Sequence, residues 1–112
     1  METLIKNQRD YFNTNETKPV PFRIRALNNL RDLLRNHEDE INDAIHTDYK
    51  KSEFDSFLSE FLVVYEDIDS AIGNLGKWAR RKRVRTNLLN WPARSYILQE
   101  PLGVTLVIGA WN

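Results

Sequence analysis

The 112-residue sequence contains no cysteine. Disulfides, cysteine-bound metal and a thiolate nucleophile are therefore excluded within these residues. No apolar run approaches the roughly 20 residues needed to cross a bilayer as a helix, so no membrane-spanning segment is expected here. An excess of one charge is also lacking, because sixteen Lys and Arg balance sixteen Asp and Glu. That balance removes any global attraction to nucleic acid or to an acidic membrane. Met1 leads into Glu2 and a charged segment rather than a basic-then-apolar leader, which gives the expectation of a cytoplasmic protein. There is no HExxH or comparable ligand spacing, no internal repeat and no low-complexity segment. His37 and His46 stand nine positions apart, and His37 and Glu38 point away from each other on a helix, so no metal site is expected.

What is present reads as one small globular unit with a modest core: 41% apolar and 29% charged residues are ordinary proportions. Leu4, Ile5, Gln8, Tyr11 and Phe12 have helical spacing and predict a helix over 3–13. Residues 13–21 are polar, with Pro19 and Pro21 setting the first turn of the helix that follows. Over 21–36, Phe22, Ala26, Leu27, Leu30, Leu33 and Leu34 share a face, with arginines largely opposite as a solvated surface. Asn36 and His37 interrupt. Glu38, Asp39 and Glu40 then suit the positive end of a new helix whose apolar face is Ile41, Ala44, Ile45 and Tyr49.

The strongest helix signal covers 52–75. Ser52 and Asp55 form a capping-box pattern, with Asp in place of the usual Glu or Gln. Phe54, Phe57, Leu58, Phe61, Leu62, Tyr65, Ile68, Ile72 and Leu75 then step by three or four. This wide aromatic stripe reads as core, with the lining of an apolar substrate channel as the alternative. Gly73 and Gly76 mark the expected end of the helix.

Residues 77–85 hold Arg80, Arg81, Lys82, Arg83 and Arg85 beside Trp78. The cluster reads as a solvated connector, or one paired with Glu66, Asp67 and Asp69, rather than as a nucleic-acid patch. Residues 86–92 form a linker. Residues 93–100 alternate and predict a strand exposed on at least one face. Pro101 to Gly103 turn the chain toward Val104, Leu106, Val107 and Ile108, an apolar run that predicts a strand buried on both faces, as in a parallel α/β sheet. Ligands of such sheets sit at the carboxyl ends of strands, which is where Gly109, Trp111 and Asn112 fall.

Glu100-Pro101-Leu102-Gly103-Val104 and Val107-Ile108-Gly109-Ala110-Trp111-Asn112 closely resemble the aldehyde dehydrogenase superfamily. The likeness is greatest to its class 3 and fatty-aldehyde branch, where this pattern runs on into Y-P. Upstream, Phe22 to Arg25, Leu27 to Leu30, Asp48 to Glu53, Glu60, Glu66-Asp67 and Trp78-Ala79 match the same branch less specifically, so the resemblance extends over essentially the whole chain.

The resemblance implies an α/β protein, the aldehyde dehydrogenase fold with a Rossmann-like nucleotide domain. These 112 residues would be a mostly α-helical N-terminal part of it, with two C-terminal β-strands. Residues 1–92 would be helical and belong to the nucleotide-binding domain. Residues 93–101 would be the first strand of an oligomerisation sheet, and 102–112 the truncated first strand of the nucleotide-binding sheet. Enzymes of this family oxidise aldehydes to carboxylic acids with NAD or NADP, through a cysteine thioester.

By the same resemblance, Asn112 donates a hydrogen bond to the developing oxyanion, and Ile108, Gly109, Ala110 and Trp111 lie against the cofactor. The expected partners are an aldehyde substrate and a second copy, as a homodimer through the 93–100 strand; no nucleic acid is expected. The cysteine nucleophile, the E-L-G-G glutamate, the K-P-S-E lysine and the G-S-T-x-x-G turn of the family have no counterpart in these residues, which are therefore expected to be inactive alone. The alternative is a stand-alone helical module that binds a partner through its strand edge or basic connector.

Overall fold

The structure is a computed structural model in which residues 1–109 are described. Helix α1 spans Glu2–Asn13, α2 Val20–Asn36 and α3 Glu38–Tyr49. A longer helical run follows, made of α4 (Glu53–Ser56), a π-helical turn at Phe57–Phe61 and α5 (Leu62–Trp78). A short hairpin closes the described part: β1 (Lys82–Val84), a 3-10 turn at Leu88–Asn90 and β2 (Ser95–Ile97).

The helices start where local chemistry favours it. Pro19 and Pro21 sit around the first turn of α2, where no amide donor is missed. Glu38, Asp39 and Glu40 occupy the first turn of α3, at the positive end of its dipole. Ser52 caps α4: its Oγ accepts from the Asp55 amide at 3.1 Å and donates to Asp55 Oδ2 at 2.7 Å. The capping box expected there is thus formed, with the aspartate serving in place of the longer acid. Two residues after Asp55 the ladder widens into the π turn, where Ser59 Oγ donates to the Asp55 carbonyl at 2.7 Å. A hydroxyl that competes for a backbone acceptor in this way locally distorts a helix.

Two sequence expectations need correction here. Gly73 and Gly76 do not end the long helix, which runs through both to Trp78. Glycine permits a stop but does not impose one, and each costs only about 1 kcal/mol relative to alanine inside a helix. A side chain at either would meet no atom within 4 Å, so neither serves close packing. The basic connector is also more than a solvated link. Its Lys82–Val84 stretch pairs antiparallel with β2, in the register Lys82 with Ile97, Arg83 with Tyr96 and Val84 with Ser95.

The chain is therefore mostly helical with two antiparallel strands, as expected, but only β2 is one of the two strands expected, and its partner is β1. The strand predicted over 93–100 shortens to Ser95–Ile97. The apolar run Val104 to Ile108, predicted as the first strand of a nucleotide-binding sheet, is not in a strand. A buried parallel strand is held by neighbours on both edges and by helices on both faces, and among the described residues none flank it.

Packing is centred on α5. Helix α2 lies along it, and α3 meets both α2 and α4. Only Phe61, Ile68 and Ser56 are fully buried among the described residues. The total accessible surface is 9698 Å², against about 6,400 Å² for a compact monomer of the same mass. The radius of gyration, 19.6 Å, likewise exceeds the roughly 13 Å of a compact chain this long. Apolar side chains make up much of the excess: Leu88, Leu89, Trp91, Leu102, Leu106, Val107 and Ile108 are each more than 80% exposed.

Candidate functional site

The residues that carried the functional reading lie at the end of the described chain. Ile108 is 84% exposed, and no atom lies within 4 Å of a side chain placed on Gly109. Ala110, Trp111 and Asn112 fall outside the described residues. The described part of the predicted cofactor-binding set is therefore not gathered into a site, and these residues do not by themselves build a nucleotide cradle. The cause is the missing strand: a side chain at a strand's carboxyl end is positioned only when the strand is held in a sheet.

What the structure does assemble lies just before that stretch. Pro101, Gly103 and Val104 fold back over α1 and α2 and close one side of an apolar groove of about 540 Å³, with Tyr11, Phe12 and Phe22 opposite. Gly103 makes the turn at φ +101°, a value that side chains rarely adopt. A Cβ built on Gly103 would meet the Phe12 ring at 3.5 to 3.8 Å. The segment is tied further by Glu100, which pairs with Lys18 at 3.6 Å. Lys18 belongs to the polar loop that Arg23 holds in place, its Nε donating to the Thr17 carbonyl at 3.0 Å and its Nη2 to that of Lys18. Thus α1, the 14–19 loop and α2 jointly position the chain that enters the Val104 to Asn112 stretch.

The α5 stripe is only partly core. Phe61 and Ile68 are buried, whereas Phe54, Phe57 and Leu58 are 40% to 69% exposed. On its other side Tyr65 is held by polar contacts that its apolar spacing did not reveal. Its hydroxyl donates to Glu38 Oε2 at 3.0 Å, and the Arg35 guanidinium lies 5.5 Å above the ring. Burial, then the hydrogen bond to Glu38, raise the Tyr65 hydroxyl above its ordinary pKa of 10.0. Helices α2 and α5 are also joined by Arg31, which bonds Asp69 Oδ1 through Nη1 and Asn28 Oδ1 through Nη2.

Asp69 is thereby taken by α2 rather than by the basic connector, and the expected pairing of that connector with the acids of α5 does not form among the described residues. Arg81 instead stacks over Tyr96 at 4.1 Å. The two histidines are separately engaged: His37 Nδ1 lies 3.0 Å from Glu40 Oε2, and His46 Nδ1 lies 3.0 Å from the Lys51 carbonyl oxygen. Among the described residues no three His, Asp or Glu converge as metal ligands.

The sequence signature of the "Aldehyde dehydrogenase family" matches residues 1–112. "Aldehyde dehydrogenase family 3 member A2" of Pongo abelii is 38% identical over 112 residues, 100% of this chain and 23% of the relative. "Aldehyde dehydrogenase, dimeric NADP-preferring" of Canis lupus familiaris is 35% identical over 109 residues, 97% of this chain and 24% of the relative. Among solved structures, one described as the substrate-bound state of Staphylococcus aureus AldH superposes with a TM-score of 0.84 at 31% identity. It covers 89% of this chain and 22% of that one. The chain thus spans about a quarter of the length of the relatives it matches. These matches give no support to the alternative of a stand-alone interaction module.

Proposed function

The chain belongs to the aldehyde dehydrogenase family, and we propose that it is the N-terminal portion of an NAD(P)-dependent enzyme that oxidises aldehydes to carboxylic acids through a cysteine thioester. The observation that carries this reading is the match of all 112 residues to the family. Alignment with the class 3 members and the superposition on a solved relative support it.

In this reading the helices α1 to α5 pack on the nucleotide-binding domain, residues 93–101 open an oligomerisation sheet and residues 102–112 become the first strand of the nucleotide-binding sheet. Asn112 stands at the carboxyl end of that strand and donates its side-chain amide to the oxyanion that forms when a thiolate adds to the aldehyde. An amide suits the task because it donates without titrating. Ile108, Gly109, Ala110 and Trp111 lie along the cofactor. The sequence contains no cysteine, so the thiolate is supplied from outside residues 1–112. We place the protein in the cytoplasm and make it a homodimer through the 93–100 strand; β2 pairs with β1 on one edge only, and its other edge is free among the described residues.

The test uses the complete natural gene product that contains these residues. With aldehyde and NAD or NADP it should form the reduced cofactor and the carboxylic acid in equal amounts. Absence of aldehyde-dependent reduction with either cofactor, across short and long aliphatic and aromatic aldehydes, would overturn the proposal.

A further inference from the structure

The apolar run that leads to Asn112 does not carry its own register. Val104, Leu106 and Ile108 alternate with Thr105 and Val107, so both faces of the strand it would form are apolar apart from Thr105. Sequence specifies register strongly where one face is apolar and the other polar; in this run a slip of one residue leaves the pattern nearly as it was. Such a slip would still move every side chain by about 3.3 Å and turn it to the opposite face, that of Asn112 included. The register must therefore be set from the ends of the run.

At the upstream end the structure supplies two anchors. One is Phe12: the three atoms nearest to a Cβ built on Gly103 all belong to its ring, at 3.5, 3.6 and 3.8 Å. Gly103 turns there at φ +101°, and the ring of Pro101, two residues earlier, fixes its own φ. Both narrow the paths by which the chain can pass Phe12. The second anchor is Lys18, whose ammonium lies 3.6 Å from Glu100 Oε1. Arg23 in turn holds the Thr17 and Lys18 carbonyls. The two anchors are unequal. The Lys18 and Glu100 side chains are 39% and 57% exposed, and a screened pair of this kind is weak, whereas the ring contact is steric and stops the turn from sliding along α1. These are contacts made, so they do not depend on which surface is left bare.

We propose, resting on the dehydrogenase reading, that Phe12 is a positioning residue for the oxyanion donor: its ring against Gly103, seconded by Lys18 on Glu100, sets the register of the strand that ends in Asn112. The effect of Phe12 on the reaction passes through the place of the Asn112 amide. An error of about 1 Å at a reacting group can cost on the order of 10² in rate, so even a partial loss of the anchor is felt in turnover. A donor that acts only in the transition state changes kcat and kcat/KM together and leaves KM alone, and a residue that positions it inherits that signature.

The experiment is a kinetic double-mutant cycle on the complete natural protein. The unaltered enzyme, F12A, N112A and F12A/N112A are assayed with aldehyde and NAD or NADP, well below their unfolding midpoints. F12A should lower kcat per folded enzyme about tenfold or more, with KM little changed. In the N112A background the same substitution should cost little further, because the group it positions is gone. A residue that merely supports the fold would lower the midpoint without this dependence on Asn112. An unchanged kcat in F12A, a loss confined to KM, or a loss of equal size in the N112A background would overturn the proposal. Failure of the dehydrogenase reading shows separately, as no aldehyde-dependent turnover in the unaltered protein or no loss in N112A, and removes the proposal with it. If F12A fails to fold, the charge pair decides. K18E should then cut kcat about two- to fivefold and K18E/E100K should restore it; absence of either change would overturn the proposal.

Discussion

The ring of Phe12, at the end of α1, lies against Gly103, ninety-one residues later in the chain, so a side chain at Gly103 would touch it at 3.5 Å. This contact fixes where the chain leaves the helices and enters the stretch that carries Asn112. The contact distance is ordinary, but the backbone at φ +101° is not. G103A should therefore destabilise the complete protein by about 1–3 kcal/mol through backbone strain, read as a lowered denaturation midpoint. A midpoint equal to that of the unaltered protein would show that Gly103 is not held in this turn.

The Tyr65 hydroxyl is raised above its ordinary pKa, first by burial and then by its bond to Glu38. The folded chain thus holds the proton more tightly than the unfolded one. Its contribution to stability is fully present below pH 10 and is lost as pH rises through the folded value. Unfolding measured between pH 8 and about 12 should show stability falling at the alkaline end, and Y65F should flatten that part of the profile. An unchanged profile in Y65F would remove Tyr65 as its source.

The Arg31–Asp69 bond joins α2 to α5, but the Asp69 side chain is 56% exposed. Solvent screening limits such a pair, so a double-mutant cycle with R31A and D69A should give a coupling of about 1 kcal/mol or less, smaller at high salt. R31A alone should cost more than D69A, because the stem of Arg31 is packed between the helices while Asp69 faces water. Equal losses would contradict this.

The Ser52 cap should contribute about 0.5–2 kcal/mol, seen as destabilisation in S52A and largely restored in S52T, whose hydroxyl can also accept from the Asp55 amide and donate to its carboxylate. Equal destabilisation in both would mean that the hydroxyl acts in some other way.

Residues 1–112 expressed alone should bind a dye for exposed apolar surface and unfold over a broad range. Only Phe61 and Ile68 form a buried apolar core among the described residues, too little for a cooperative transition. A sharp two-state melt without dye binding would show that the excess surface is covered in this polypeptide itself.

Much of this was legible in the sequence. Apolar spacing and caps located α1, α2, α3 and the long helix, since each rests on local patterns such as Ser52 with Asp55 or Glu38 to Glu40. Three features were not legible, each for a physical reason. The π turn arises where Ser59 bonds the Asp55 carbonyl, which periodicity does not encode. Strand β1 has one apolar residue, Val84, within a run of charges, so its pairing with β2 leaves no alternating signal. Tyr65 reads as one more member of an apolar stripe, and its bond to Glu38 exists only because α3 packs nearby. At the site the limit was different. The motif from Glu100 to Asn112 specified chemistry through its resemblance, whereas the geometry that positions Ile108 and Gly109 depends on a sheet that the described residues do not contain.

The measurement that tests the central claim most directly is the steady-state kinetics of the complete natural protein beside its N112A variant. If Asn112 stabilises the oxyanion, N112A should lose on the order of 10²–10³ in kcat, with KM and the unfolding midpoint little changed. An N112A enzyme that turns over aldehyde at the unaltered rate would contradict the assignment of Asn112, and with it the residue-level reading of the site.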